Sequence, residues 1–173
     1  METLDFTGHR AGSAKPNGTI VGAEGMMRTE KFHAEWTADR RGRVKGDPIA
    51  PGLDFAAPPE FQGIPGVWSP EHFFVAAVAT CFITTFRAIA EFSKFKFDGL
   101  TVTGEGVLEK GEGGYKFTRI FLQPVLTIER EEDRERAQRL LQKAERSCLI
   151  SRSINSEIVL QPRVEVGRAV SRS

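Results

Sequence analysis

Residues 69–86 have the sequence SPEHFFVAAVATCFITTF, in which threonine is the only polar residue type after the first four positions. Ser69 can cap the free amides of a helix, Pro70 suits its first turn, and Glu71 complements its positive end. We therefore predict a helix from about Pro70 to Ser93. A helix on a protein surface has a polar face, which this segment lacks. The helix must be surrounded by strands of its own chain or by a second subunit.

Composition predicts one folded domain over residues 1–173, with 40% hydrophobic and 27% charged residues. The net charge of +1 lacks the basic excess of a nucleic-acid binder, so no nucleic-acid partner is expected. No apolar run reaches the roughly 18 residues of a spanning helix, and residues 1–10 contain no apolar signal core. We therefore expect no membrane partner and a cytoplasmic location. Residues 1–30 are predicted to form an arm or a loose hairpin, and 167–173 a frayed tail.

The remaining segments predict strands and one further helix. Pro124 within a strand indicates an edge or a bulge, and apolar residues at helical spacing near residues 137–144 predict an amphipathic surface helix. The predicted elements are a strand at 31–38, a turn at 39–42, a return strand at 43–45, a long loop at 49–68, strands at 100–109 and 115–129, a helix at 130–146 and a closing strand near 157–166.

No local motif predicts a metal or a bound cofactor. His9, His33 and His72 are far apart, and no paired-cysteine spacing is present. The glycines at 111–114 indicate a hairpin turn rather than a phosphate cradle, because no helix follows them. The charges at 129–136 alternate in sign, which is typical of a solvated helix face.

The two cysteines allow two interpretations. Cys81 lies in the middle of the first helix and Cys148 just after the second. Free cysteines are usually small buried hydrophobic residues. A reactive Cys81 would need a nearby cation that lowers its pKa. Arg40, Arg41 and Arg43 form the one arginine cluster at a strand turn, which could equally be solvated.

Residues 68–82, WSPEHFFVAAVATCF, resemble the central helix of the OsmC/Ohr family, the osmotically inducible protein C and organic hydroperoxide resistance proteins. That helix begins with a Pro-Glu pair and carries a cysteine ten residues after the Glu. The family has a second cysteine after a charged helix, which Cys148 supplies here. The resemblance covers roughly Lys31 to Val166. It implies an α+β fold with antiparallel sheets around a long buried helix, a second amphipathic helix and an intertwined homodimer.

The resemblance also implies a thiol peroxidase that reduces organic hydroperoxides. The Cys81 thiolate attacks the peroxide and becomes a sulfenic acid, which Cys148 converts into a disulfide. An external dithiol, in the Ohr branch a lipoylated protein, reduces the disulfide. The family uses an arginine to hold the thiolate and a glutamate to orient that arginine. Glu71 matches the glutamate and Arg40 aligns best with the arginine, with Arg41 and Arg43 as alternatives.

Helix geometry suggests how Glu71 reaches the site. Ten residues of helix rise about 15 Å, so Glu71 cannot touch Cys81 of its own chain. If two copies of the helix cross antiparallel near residue 76, Glu71 of one chain faces Cys81 of the other, which predicts a two-fold dimer. The alternative is that Glu71 only complements the helix dipole.

Aromatic residues around Cys81 are expected to form an apolar mouth that favours an alkyl or aryl hydroperoxide. Ordinary core packing is the alternative for each of them. The predicted lining residues are Phe61, Trp68, Phe73, Phe74 and Phe82.

Two other functions remain open at this level. The first is an OsmC-like protein that binds a small apolar ligand or senses redox state without peroxidase turnover. The second is a structural, stress-associated dimer without a ligand, which predicts a filled core around Cys81.

Overall fold

The computed structural model describes residues 32–38, 41–46 and 51–167. The predicted arm at 1–30 and the predicted tail beyond Gly167 lie outside the described residues. The elements confirm the α+β class. They are β1 (Phe32–Ala38), β2 (Arg41–Gly46), β3 (Leu53–Ala56), a 3-10 turn (Pro59–Phe61), α1 (Pro70–Phe92), β4 (Gly99–Gly111), β5 (Gly114–Ile128), a second 3-10 turn (Glu131–Asp133), α2 (Arg134–Ser147), α3 (Leu149–Arg152), β6 (Glu157–Leu160) and β7 (Arg163–Val166).

The strands form two sheets. In the first, β1, β2 and β3 pair antiparallel in that order. In the second, β4 and β5 form a long antiparallel hairpin, and β6 and β7 pair with β5 in parallel. The prediction of an unstructured loop at 49–68 is wrong, because β3 and a 3-10 turn lie within it. The predicted closing strand is two strands, which are separated by Gln161 and Pro162.

Pro124 lies inside the second sheet rather than at an edge. It pairs with Val102 of β4. On its other side, the β6 ladder ends at Leu122 and the β7 ladder begins at Val125. A proline lacks the N–H that a ladder needs, and here it occupies the gap between two short ladders.

A reciprocal cap begins α1 at the predicted position. Ser69 Oγ accepts a hydrogen bond from the backbone N–H of His72 at 3.3 Å, and Nδ1 of His72 accepts one from the N–H of Ser69 at 3.1 Å. These two bonds satisfy amides that a helix leaves without partners. The cap therefore determines where α1 starts, and the helix runs to Phe92.

One stripe of α1 is buried in the core of the chain. Val78, Phe82, Phe86 and Ala90 pack in one cluster with β5 side chains and with the apolar stripe of α2. That α2 stripe has the predicted spacing and consists of Ala137, Leu140, Leu141 and Ala144.

The opposite face of α1 is not covered by the described residues. Its most apolar 18-residue window has a mean hydropathy of 1.9, and 22% of that window is buried. Contrary to the sequence-based expectation, α1 is long and apolar enough to cross a membrane by length and composition, a test that core helices of soluble proteins also pass. The feature that needs explanation is the uncovered apolar face.

Candidate functional site

The two cysteine side chains meet between α1 and α3. Cys81 lies in the middle of α1, and Cys148 is the residue that caps α3. Cys148 is fully buried, Cys81 is half-buried, and both are free thiols. The side chain of Cys148 lies near enough to the Cys81 sulfur to act on the pKa of Cys81. Two residues that are far apart in the chain are therefore neighbours in the fold.

Several hydrogen bonds act on the Cys81 sulfur. Burial acts to raise the pKa of this thiol, but donors around it outweigh burial and lower the pKa below its ordinary value. These donors are the backbone of Ile150, the thiol of Cys148, the hydroxyl of Thr85 and the backbone of Leu149. A donor that is aimed at the sulfur stabilises the thiolate more than the thiol. Cys81 is therefore the more easily ionised thiol of the pair.

Cys148 has the opposite character. Burial raises the pKa of the Cys148 thiol, and the neighbouring Cys81 raises it further. The side chain and backbone of Ser151, one helical turn further on, oppose this rise without cancelling it. Ser151 Oγ is buried and forms no hydrogen bond of ordinary geometry, so its own effect on the Cys148 thiol is weak. Cys148 is thus the harder of the two thiols to ionise.

Local structure explains why the thiols face each other. α2 ends at Ser147, and Cys148 takes an extended conformation with φ −65° and ψ 119°. The chain then re-enters a helical turn, in which the N–H of Arg152 bonds to the carbonyl of Cys148 at 3.1 Å. The turn directs the amides of Leu149 and Ile150 toward the Cys81 sulfur.

A separate cavity of about 770 Å³ lies between the uncovered face of α1 and the β4–β5 hairpin. Its lining includes Phe61, Trp68, Glu71 and His72, but not Cys81. Oε2 of Glu71 is buried and has no hydrogen-bond partner among the described residues. A buried carboxylate oxygen without a hydrogen bond destabilises the folded state unless another group donates to it. The Glu71 end of this cavity is therefore incomplete in a single described chain.

The predicted aromatic lining divides between this cavity and the core. Phe61 and Trp68 line the cavity, and Phe73 stacks on Trp68 with ring centroids 5.5 Å apart. Phe74 stacks on a ring of β5, that of Phe117. Phe82 is fully buried in the core and does not line the cavity. Within one chain these residues do not form a mouth around Cys81.

The arginine of the predicted site is not placed by the structure. Arg40 lies outside the described residues. Arg43 pairs with Asp54 across β2 and β3 at 2.8 Å, and Arg41 is exposed on β2. Among the residues that the structure describes, the groups that lower the pKa of Cys81 are all uncharged.

Three participating groups were missed in the sequence. Thr85 lies four residues after Cys81, so its i,i+4 position was a usable signal. Leu149 and Ile150 act through their amides, and no side-chain pattern could have indicated them. In the described parts of the chain, no three metal-ligating His, Cys, Asp or Glu residues cluster together.

Comparison with known proteins agrees with the fold. The uncharacterized protein YmaD of Bacillus subtilis (strain 168) is 28% identical over 141 residues, which are 78% of this chain and 93% of YmaD. An organic hydroperoxide resistance protein, OsmC, from Legionella pneumophila is 27% identical with a TM-score of 0.66, covering 82% of this chain and 99% of its own. An OsmC-like protein from Vibrio cholerae has 20% identity and a TM-score of 0.70, covering 79% and 99%. The family model for OsmC-like proteins matches residues 63–163, so the chain belongs to the OsmC-like protein family.

Proposed function

We propose that this protein is a cysteine-based hydroperoxide reductase. The observation that carries the proposal is the contact between Cys81 and Cys148, with the pKa of Cys81 lowered and that of Cys148 raised. A cysteine that attacks a peroxide must be a thiolate, and the thiol that forms the disulfide with it must lie beside it. The lowered pKa of Cys81 and the position of Cys148 beside it support both requirements within one chain.

The proposed reaction has three steps. The Cys81 thiolate attacks the O–O bond of a hydroperoxide, forming Cys81–SOH and an alkoxide that takes a proton to leave as an alcohol. Cys148 then attacks the sulfenic sulfur, which forms the disulfide and releases water. An external dithiol, which we propose is carried by a lipoylated protein, exchanges with the disulfide and becomes oxidised itself.

Organic hydroperoxides are the proposed substrates. The structural relatives include a protein named for organic hydroperoxide resistance, which is 27% identical to this chain. The exposed apolar side chains of Trp68 and Leu149 support the same choice, because an alkyl or aryl group gains free energy by leaving water. We also propose a cytoplasmic location, where reductants keep both thiols reduced.

A homodimer completes the proposed site. The uncovered face of α1 includes Ala76 and Thr80 and borders the cavity that contains the orphaned Glu71 oxygen. A second α1 crossing near residue 76 would cover this apolar face and bring Glu71 of one chain toward Cys81 of the other. Arg40 is then the proposed cation between them.

Thiol titration with cumene hydroperoxide tests this function. We expect the reduced protein to lose two thiols per chain and to release one alcohol per peroxide. Cys81→Ser has one thiol left, that of Cys148, and should keep it, since the first step needs the Cys81 thiolate. Thiols that stay reduced at excess peroxide would rule the function out.

The cavity favours a second candidate function, the binding of a small apolar ligand. Its volume of about 770 Å³ is in the range of small-molecule pockets. Cys81→Ser would then bind a fluorescent fatty-acid probe as tightly as the native chain. Absence of binding by the native chain at micromolar probe would exclude this second candidate.

A further inference from the structure

The three threonines of α1 use their hydroxyls differently. Thr80 donates to the carbonyl of Ala76 at 2.7 Å, and Thr84 donates to the carbonyl of Cys81 at 3.0 Å. Such bonds to the preceding turn are the usual arrangement for a threonine within a helix. Thr85 departs from it, because its Oγ1 lies 3.9 Å from Sγ of Cys81.

The protonation state of Cys81 decides the direction of this hydrogen bond. A hydroxyl can donate or accept, whereas a thiolate has no proton and can only accept. Once Cys81 ionises, Thr85 must be the donor. A hydrogen bond to an ionised group is shorter and stronger than one between neutral groups, so the hydroxyl favours the thiolate over the thiol.

The remaining donors to this sulfur are also uncharged and come from the same chain. They are the amides of Leu149 and Ile150 and the thiol of Cys148. The Thr85 hydroxyl approaches from α1 itself, while the other three come from the turn that begins at Cys148. The sulfur is therefore held between two elements that both belong to one protomer.

We propose that Thr85 is a catalytic residue of this site, whose hydroxyl donates to the Cys81 thiolate and keeps the nucleophile ionised. This inference rests on the proposed peroxidase function and adds a residue to it. It means that the ionisation of Cys81 does not depend entirely on an arginine supplied elsewhere. Uncharged donors of the same chain supply part of the stabilisation of the Cys81 thiolate, before any second subunit binds.

The test measures how the alkylation of Cys81 by iodoacetamide depends on pH. The mass of the Cys81 peptide reports the extent of alkylation. Thr85→Val removes the hydroxyl and keeps the side-chain shape. Its alkylation midpoint should move to higher pH, and its rate at pH 7 should fall about fivefold, the size expected for the loss of one hydrogen bond. Thr85→Ser restores the hydroxyl and should regain most of the native rate.

Thr84→Val is the matched control. It removes a hydroxyl that bonds to the backbone one turn back, so it should leave the Cys81 profile unchanged. An unchanged profile in Thr85→Val, or an equal shift in Thr84→Val, would overturn the inference. If circular dichroism shows that Thr85→Val does not fold, Thr85→Ala takes its place with the same expected shift. Because alkylation uses no peroxide, this result is independent of whether the chain reduces hydroperoxides.

Discussion

Cys81 and Cys148 have different environments although their side chains touch. The Cys81 sulfur receives hydrogen bonds from two elements and is half-buried. Cys148 is fully buried, and its neighbour Cys81 disfavours its ionisation. Sulfur nucleophilicity requires the thiolate, so this asymmetry supports the proposed attack by Cys81 and resolution by Cys148.

This asymmetry predicts two separate pH profiles for alkylation. A lowered pKa keeps Cys81 ionised, and therefore reactive, at a pH below that needed by a free cysteine. A raised pKa requires a more alkaline pH before Cys148 reacts. Peptide mass spectrometry after alkylation over a pH series should separate the two. In urea the profiles should merge, and coincident profiles in the native protein would contradict the assignment.

Replacing the resolving thiol should stop the cycle after one step. Cys148→Ser should consume one equivalent of hydroperoxide and remain as Cys81–SOH, because no second sulfur can form the disulfide. Dimedone labelling and mass spectrometry would detect that species. Normal steady turnover by Cys148→Ser would remove Cys148 from the mechanism.

An arginine at the site would add to the uncharged donors around Cys81. Arg40→Ala should raise the pKa of Cys81 and slow peroxide attack at neutral pH, because a nearby cation favours the thiolate. The measurement is the second-order rate of thiol loss with cumene hydroperoxide. An unchanged rate would mean that Arg43 or Arg41, rather than Arg40, stabilises the thiolate. Replacing that arginine by alanine should then slow the loss of thiol.

At the scale of elements, close packing of α1 on β4 depends on glycine. A Cβ on Gly106 would lie 2.6 Å from Cε1 of Phe117 and 2.7 Å from Cγ2 of Val75. Neither neighbour moves freely, since Phe117 stacks on Phe74 and valine has few rotamers. The cavity wall next to the helix therefore requires a residue without a side chain here.

Gly106→Ala should lower the free energy of unfolding by about 1–3 kcal/mol, because it overpacks the contact between α1 and β4. Urea denaturation followed by circular dichroism measures the loss. Gly113→Ala is the control, since its Cβ meets nothing within 4 Å in the hairpin turn. Equal stability of the two variants would show that α1 can shift without cost.

Sequence patterns located most elements because their signals are local. Ser69 and Pro70 marked the start of α1, and the glycines at 111–114 marked the hairpin turn. β3 was missed because the prolines around it hid a strand of four residues. The position of Pro124 was missed because a gap between two strand ladders is a property of the whole sheet.

At the scale of the molecule, the uncovered apolar face of α1 indicates that another chain packs against it. The exposed fraction of Trp68 is 48%, and that of Phe92 is 88%. Trp68 lies just before the N-cap of α1 and Phe92 ends the helix. Exposed apolar area along such a helix is typical of an interaction site. A second copy is the partner that we propose, since it also brings Glu71 toward Cys81.

Ala76→Arg should break this dimer, because it places a charge where the two helices are proposed to cross. Sedimentation equilibrium should give about twice the chain mass for the native protein and the single chain mass for the variant. Peroxidase activity should fall with it. Gln142→Arg, on the exposed face of α2, adds the same charge away from the interface and should remain a dimer. A dimeric Ala76→Arg, or a native monomer, would contradict the arrangement.

The sequence by itself determined the central helix and the family, and it predicted the two-cysteine chemistry. Helix capping and hydrophobic periodicity are properties of short stretches of chain, and the positions of the two cysteines can be recognised without a structure. Only the tertiary structure showed that Cys148 touches Cys81, that Thr85 and the amides of Leu149 and Ile150 act on that sulfur, and that Phe82 belongs to the core. The physical reason is that a thiol pKa depends on donors and burial in three dimensions, and these arise when segments distant in sequence pack together.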